Sequence, residues 1–470
     1  MNKEGRGTSR SATDRAPSSV TAAVIGAGAS GIAALRALLE AGVEATVFEL
    51  GDHAGGLWVY ENSNGLSAAY RSLHTNTTRQ SMGFDGFPMP ASLPDYPHHT
   101  QVAKYLNDFL DSFGGRSRIS FRTEVLSVEP TPDQRWHVRF RRDGRLEDRD
   151  FDAVLVCTGH HWKAKWPTPP YEGAFTGQQV HSHDYREPSP FAGLRVIVVG
   201  MGNSAMDIAE DIAHVASATF VSARHGTHIL PKYIFGRPLG RLTGPLMRLP
   251  WRPRQAILAR ILRAWRGPYE RYGLQEPSVG IYQLHATLSD TVLTRLAHGQ
   301  IVAKPGIERL GERSISFVDG STEDIDVIIW CTGYDTAMPF MPGSPTTTPP
   351  LYLRMLPTDS GGLAFIGYVS QRGALMPVVE AQARLAASYA TGTYVPPPRL
   401  EMEDEMRRYA KEIRRRYFHT ERHALEVEQG PYVKAVNAEL NRGVQRAARG
   451  RGGVHDAPTT SVEGGTTSRT

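Results

Sequence analysis

The chain has 470 residues, 40% hydrophobic and 21% charged, with a net charge of +5 and a pI near 9.1. That length can bury large cores and form about two to three domains. The basic excess is spread over scattered arginines and an Arg-rich tail, which argues against nucleic-acid binding. No run of about eighteen apolar residues suggests a membrane span, and two cysteines are too few for a disulfide framework.

Residues 1–20 are rich in Ser, Thr, Arg and Gly and lack the apolar core of a secretory signal, so they read as a disordered leader. The apolar run that follows ends in Gly26-Ala27-Gly28-Ala29-Ser30-Gly31 and opens a helical stretch over 32–41. Glycines at this spacing allow a tight turn, close approach of backbone to a pyrophosphate and tight helix-on-strand packing, with the phosphates at the helix N-terminus. The next apolar run, Ala45-Thr46-Val47-Phe48, ends in Glu49, where a carboxylate accepts hydrogen bonds from a ribose hydroxyl pair. An adenosine ribose without a 2'-phosphate is expected here.

A second copy begins at Val196 and reads Gly200-Met201-Gly202-Asn203-Ser204-Ala205, opening a helix over 206–215. Its second strand, Thr219-Phe220-Val221-Ser222, runs into Arg224 and His225 instead of a carboxylate. A cation there suits a 2'-phosphate, so NADPH is expected over NADH. A solvated strand-end charge is the competing reading of Arg224.

Within the segment 236–277, residues 253–266 place Ile257, Leu258, Ile261, Leu262 and Trp265 near one helical face, with Arg254, Arg260, Arg263 and Arg266 largely elsewhere. Such a helix packs on the body or a partner subunit, or lies in a membrane surface. It also stands where an insertion shapes access to a cleft. After about residue 438 the chain turns Arg-, Gly-, Ser- and Thr-rich, and 446–470 read as a disordered tail.

Cys157 and Cys331 each end an apolar strand in Cys-Thr-Gly, at 151–159 and 325–333, after a charged hairpin-like segment. Each of these strands closes a dinucleotide-binding unit. The lack of a C-x-x-C-like pair argues against a dithiol mechanism and points to a reducing, cytoplasmic setting. The expected class is α/β, with two dinucleotide-binding (Rossmann-like) domains and the NADPH domain inserted into the FAD domain. The boundaries are 20–165 for the first part of the FAD domain, 166–330 for the NADPH domain and 331–445 for the return segment. Two crossings place a cleft between the domains at the carboxyl ends of the strands.

Between the two units, residues 175–185 read F-x-G-x-x-x-H-x-x-x-Y, with Phe175, Gly177, His181 and Tyr185. Here the chain resembles the flavin-containing monooxygenase family of FAD- and NADPH-dependent single-component monooxygenases. Further matches are Gly55-Gly56-Leu57-Trp58, the Thr75-Asn76-Thr77 segment, Phe84-Asp85-Gly86-Phe87-Pro88, Thr332-Gly333-Tyr334, and Phe365-Ile366-Gly367-Tyr368 with Gln371, Gly373, Pro377, Glu380 and Gln382. The resemblance implies hydride transfer from NADPH to the flavin, then reaction with oxygen to a C4a-(hydro)peroxide that oxygenates a small organic substrate. Baeyer–Villiger relatives usually show Trp where this chain has Tyr185, so a nucleophilic nitrogen or sulfur is expected over a ketone. An electron-transfer reductase without oxygenation is a further alternative.

The resemblance makes Asn76 the candidate catalytic side chain, a fixed neutral amide beside flavin and nicotinamide. A turn cap is its competing reading. The remaining cofactor-binding candidates are Gly56, Leu57, Trp58, Thr75, Thr77, Val125, Thr158, Gly159, Asp207, Thr332, Gly333, Gln371 and His181, the last also readable as a linker tie. No metal is expected, and a homodimer is left open.

Overall fold

The structure is a computed structural model that describes residues 19–240, 249–284, 286–343, 350–416 and 425–452. The first apolar run forms β1 (Thr21–Ile25), the glycine turn leads into α1 (Ala29–Glu40), and β2 (Glu44–Phe48) returns parallel to β1 from Thr21↔Glu44 to Ile25↔Phe48. After α2 (His99–Ser112), β3 (Ile119–Ser120) adds outside β2. An antiparallel meander of β4 (Thr123–Pro130), β5 (Trp136–Arg142) and β6 (Arg145–Phe151) then feeds β7 (Ala153–Val156), which pairs with the other edge of β1.

The plan then repeats. β8 (Gln178–His181) is followed by β9 (Arg195–Val199), α3 (Asn203–Ile212) and β10 (Ala218–Ser222). The insertion carries α4 (Trp251–Arg266), after which β11 (Val302–Lys304) joins β10. A second meander, β12 (Ile307–Leu310), β13 (Ser314–Phe317) and β14 (Thr322–Asp324), feeds β15 (Val327–Trp330) between β8 and β9. The chain returns through β16 (Leu363–Phe365), β17 (Ser370–Arg372), α5 (Met376–Ala390), α6 (Arg399–Arg416), β18 (Glu426–Glu428) and α7 (Gln429–Gly452).

The result is two five-stranded parallel sheets, β16-β7-β1-β2-β3 and β8-β15-β9-β10-β11, the first completed only by the return strand β16. Parallel strands covered on both faces read as continuous apolar runs, and Ala153–Val156 and Val327–Trp330 are fully buried. The crossings lie side by side, where Lys163–Ala164 pairs antiparallel with Tyr334–Asp335. Among the described residues no helix is long and apolar enough to cross a membrane, and no His/Cys/Asp/Glu cluster is arranged to hold a metal.

Two expectations change. On α4 the buried residues are Arg254, Leu258 and Leu262, while Ile261 and Trp265 are exposed. Arg254 lies on the buried side because Glu428 of β18 sits opposite at 3.2 Å and neutralises it. The expected tail at 446 is also corrected, since α7 runs on to Gly452. Arg446 is held there by Glu439 and by the Val395 carbonyl at 2.9 Å, and Gly443 packs against the Tyr394 ring. Residues 453–470 and 1–18 lie outside the described residues.

Candidate functional site

The first glycine turn is a backbone cradle. Gly26 has φ +101°, and a Cβ there would stand 2.8 Å from the Cys157 carbonyl oxygen, which explains why the Cys-Thr-Gly strand end and the glycine turn come together. A Cβ on Gly31 would meet the Gly26 oxygen at 1.8 Å. Helix α1 begins at N-cap Gly28 without a side-chain cap, so its first N–H groups remain for a phosphate. Gly55 N–H donates to the Ala27 carbonyl at 2.9 Å, seating Gly56–Trp58 against the cradle, with Trp58 packed on the core below. Ala29 and Ser30 are buried in the first turn, and Ser30 faces Gly367, where a Cβ would lie 2.1 Å from its hydroxyl.

Glu49 is 5% exposed at the end of β2. Its carboxylate accepts from Ala27 N–H and Gly51 N–H, both at 2.7 Å, and from Asn64 Nδ2 at 3.2 Å. Three of roughly four lone-pair positions are taken by its own turn and by Asn64, which fixes the carboxylate at the end of β2. Val125 sits on β4, part-buried on the meander core, two residues from Thr123, whose N–H donates to the Glu49 carbonyl.

Asn76 lies on the loop before α2. Thr75 N–H donates to the Pro97 carbonyl at 3.0 Å, and the Thr77 hydroxyl donates to the Gly373 carbonyl at 3.4 Å on the return segment. Asn76 Oδ1, Thr75 Oγ1 and Thr158 Oγ1 are buried without a hydrogen-bonding partner. An unsatisfied buried polar atom costs about 1–3 kcal/mol, so this set fits a ligand that supplies the missing bonds, and it argues against Asn76 as a mere turn cap. Gly159, at φ +66°, follows Thr158. Gln371 stands on β17 beside Val427, and the buried Gln382 accepts from Gly367 N–H at 2.8 Å and donates to the Tyr432 hydroxyl at 2.7 Å. Phe84 stacks on the Phe109 ring of α2 at 4.1 Å, and Phe87 packs tilted against the same ring at 5.3 Å.

The second cradle repeats the first. Gly200 has φ +129°, and a Cβ there would lie 2.6 Å from the Cys331 carbonyl oxygen. Gly202 caps α3 without a side-chain bond, and Ser204 and the buried Ala205 occupy the first turn. Asn203 Oδ1 accepts from Leu288 N–H at 2.8 Å, fixing that side chain to the segment that follows the insertion. Arg224 is exposed just beyond β10, beside Gly306, and has no ion pair among the described residues, so its guanidinium stands available to a phosphate. Asp207, on the second turn of α3, accepts from the Tyr70 hydroxyl of the first domain at 2.5 Å.

The linker gathers the other candidates. His181 is fully buried at the end of β8, its Nδ1 accepts from His183 N–H at 3.0 Å, and its ring sits between Trp166 and Tyr334. Burial holds its pKa below the ordinary histidine value, so it is neutral at pH 7. The Thr332 hydroxyl donates to the Lys165 carbonyl, and Lys165 N–H donates to Gly333 O at 3.0 Å, stitching both crossings together. These contacts fit the linker-tie reading of His181. Burial raises the Cys157 thiol strongly and pushes Cys331 up to about 12, so neither is a thiolate at neutral pH. Residue-by-residue reading missed Tyr70, Ser72 and Asp211. The available signal was the pair Asp207 and Asp211 on α3 where α1 carries Ala33 and Ala37.

Two linked cradles, a buried acid at the strand end of one and an exposed cation at that of the other, together with the orphaned polar groups of Thr75, Asn76 and Thr158, fit a two-dinucleotide flavoprotein oxidoreductase. Residues 19–445 match the flavin-binding monooxygenase-like family, and the chain belongs to it. It is 34% identical to flavin-containing monooxygenase 5 of Oryctolagus cuniculus over 88% of this chain and 81% of the relative. It is 35% identical to dimethylaniline monooxygenase [N-oxide-forming] 2 of Pan troglodytes over 83% of this chain and 77% of the relative. Its fold resembles cyclohexanone monooxygenase from Rhodococcus sp. Phi1 bound to NADP+, with a TM-score of 0.69, 17% identity and coverage of 91% of this chain and 99% of that one. The chain is thus an FAD-dependent NADPH monooxygenase that uses oxygen and a small-molecule substrate.

Proposed function

We propose that the enzyme transfers one oxygen atom to a nucleophilic nitrogen or sulfur of a small organic substrate. The observation that carries this reading is Tyr185 closing the linker motif, built into the domain interface with its ring 1% exposed and its hydroxyl donating to Asp211 at 3.2 Å. The N-oxide-forming relative at 35% identity supports it. FAD held by the first cradle would supply the hydride-accepting and oxygen-activating chemistry.

The protein binds, orients and excludes water. The cradles at 26–31 and 200–205 take the pyrophosphates, Glu49 accepts a ribose hydroxyl, and Arg224 pairs with the 2'-phosphate. Asn76 offers a neutral amide held by its neighbours, which orients the reacting groups without moving a proton. A nitrogen or sulfur lone pair attacks directly and needs no general base to activate it.

The test supplies NADPH and oxygen with matched tertiary-amine, sulfide and ketone substrates. N-oxide or sulfoxide formed in step with NADPH consumption is expected. Ester or lactone formation from the ketone alone would replace this reading with Baeyer–Villiger oxidation. NADPH-driven reduction of an artificial acceptor with no oxygenated product would identify an electron-transfer reductase.

A further inference from the structure

Helix α3 turns two carboxylates, one helical turn apart, towards the flavin domain. Asp207 Oδ2 accepts from the Tyr70 hydroxyl at 2.5 Å, and the Tyr70 ring is 4% exposed. Asp211 Oδ2 accepts from the Ser72 hydroxyl at 2.5 Å and from the Tyr185 hydroxyl at 3.2 Å. The Tyr70 and Tyr185 rings meet edge-on, with centroids 6.0 Å apart.

The partners of these acids belong to the stretch that carries Asn76. Between Tyr70 and Asn76, Arg71 N–H donates to the Arg186 carbonyl at 2.8 Å, and the Leu73 carbonyl accepts from His99 N–H at 2.9 Å. At the other end, α3 opens at the second cradle, with Asp207 one turn beyond Asn203. A few residues on each side therefore join the second cradle, which would hold the NADPH pyrophosphate, to the Asn76 loop.

The dinucleotide fold does not require these acids. The equivalent positions of α1 are Ala33 and Ala37, both buried in the apolar core with α5. Burying a carboxylate against hydroxyls costs desolvation that an apolar pair would avoid, whereas a hydroxyl–carboxylate bond is directional and sets register between two bodies.

We propose that Tyr70, Ser72, Asp207 and Asp211 form a clasp through which occupancy of the NADPH cradle fixes the Asn76 loop, making them positioning residues for hydride delivery. The clasp couples the two domains at the point where the nicotinamide and flavin rings must align.

Hydrogen–deuterium exchange on the full-length, FAD-loaded protein tests this directly. NADP+ is expected to slow exchange of peptides spanning 70–78 in the wild type. Tyr70→Phe loses most of that protection at saturating NADP+. Asp207→Asn, which keeps an acceptor oxygen for the Tyr70 hydroxyl, retains more of it than Asp207→Ala. In parallel, anaerobic flavin reduction at saturating NADPH slows about tenfold in Tyr70→Phe, the scale of one directional hydrogen bond, with bound FAD per chain unchanged. If Tyr70→Phe does not fold, Ser72→Ala decides by the same exchange readout. Protection of 70–78 that is absent in the wild type, or equal in wild type and variant, overturns the clasp.

Discussion

The two dinucleotide units share strand, glycine turn and helix, yet their helices face different things. Helix α1 is buried along nearly its whole length, with Ala33 and Ala37 in the core beside α5, whereas α3 offers Asp207 and Asp211 to hydroxyls of the other domain. The strand-end residues differ likewise: Glu49 is buried and bonded to its own glycine turn, while Arg224 is exposed and without an ion pair among the described residues. The first unit is a closed core, and the second an interface with the other domain.

Breaking the glycine turn of the first unit should have the largest effect. Gly31→Ala places a Cβ 1.8 Å from the Gly26 oxygen, and overpacking against backbone costs about 3 kcal/mol or more. The expected result is a protein without bound FAD, read from its visible absorbance. The second unit already carries Ala205 at the matching position.

The next effect comes from Asp207, whose pKa burial raises to about 6, with Tyr70 and Lys232 opposing and Glu210 and Asp211 reinforcing the shift. A carboxyl raised above an unfolded value of about 3.9 binds more protons folded than unfolded, so its contribution to stability falls as pH rises from about 4 to about 6. The loss is up to about 3 kcal/mol. Denaturant titrations of Asp207→Asn should lack this slope, and an unchanged slope would show that Asp207 does not titrate in this window.

Arg224→Ala should raise KM for NADPH about tenfold, with KM for NADH within about twofold, as expected from one lost charge-assisted contact to phosphate. Equal losses with both cofactors would remove Arg224 from phosphate recognition. The smallest change is Ala205→Gly, which gives the second unit the glycine of the first. It should cost about 1 kcal/mol of helix stability with NADPH binding retained, and loss of binding would show that the two turns are not interchangeable.

Much of the fold was legible because glycine spacing and apolar runs are local. Both β–turn–α units, both Cys-Thr-Gly strand ends and the charged meanders before them follow from runs shorter than a dozen residues. The misreadings share one cause. Arg254 is buried because Glu428 arrives from 174 residues away, and α7 continues because Arg446 reaches the Val395 carbonyl 51 residues away. In each case the deciding partner is remote in sequence.

By itself the sequence determined the two cradles, the charge that reads each ribose and the linker motif, because those functions depend on backbone freedom and side-chain charge at fixed short spacings. Only the tertiary structure decided that Glu49 spends most of its carboxylate on its own turn, that His181 is buried between Trp166 and Tyr334, and that Asp207 and Asp211 meet Tyr70 and Ser72. These assignments depend on which hydroxyl or N–H lies within hydrogen-bond reach after two domains have packed, and no local pattern encodes that distance.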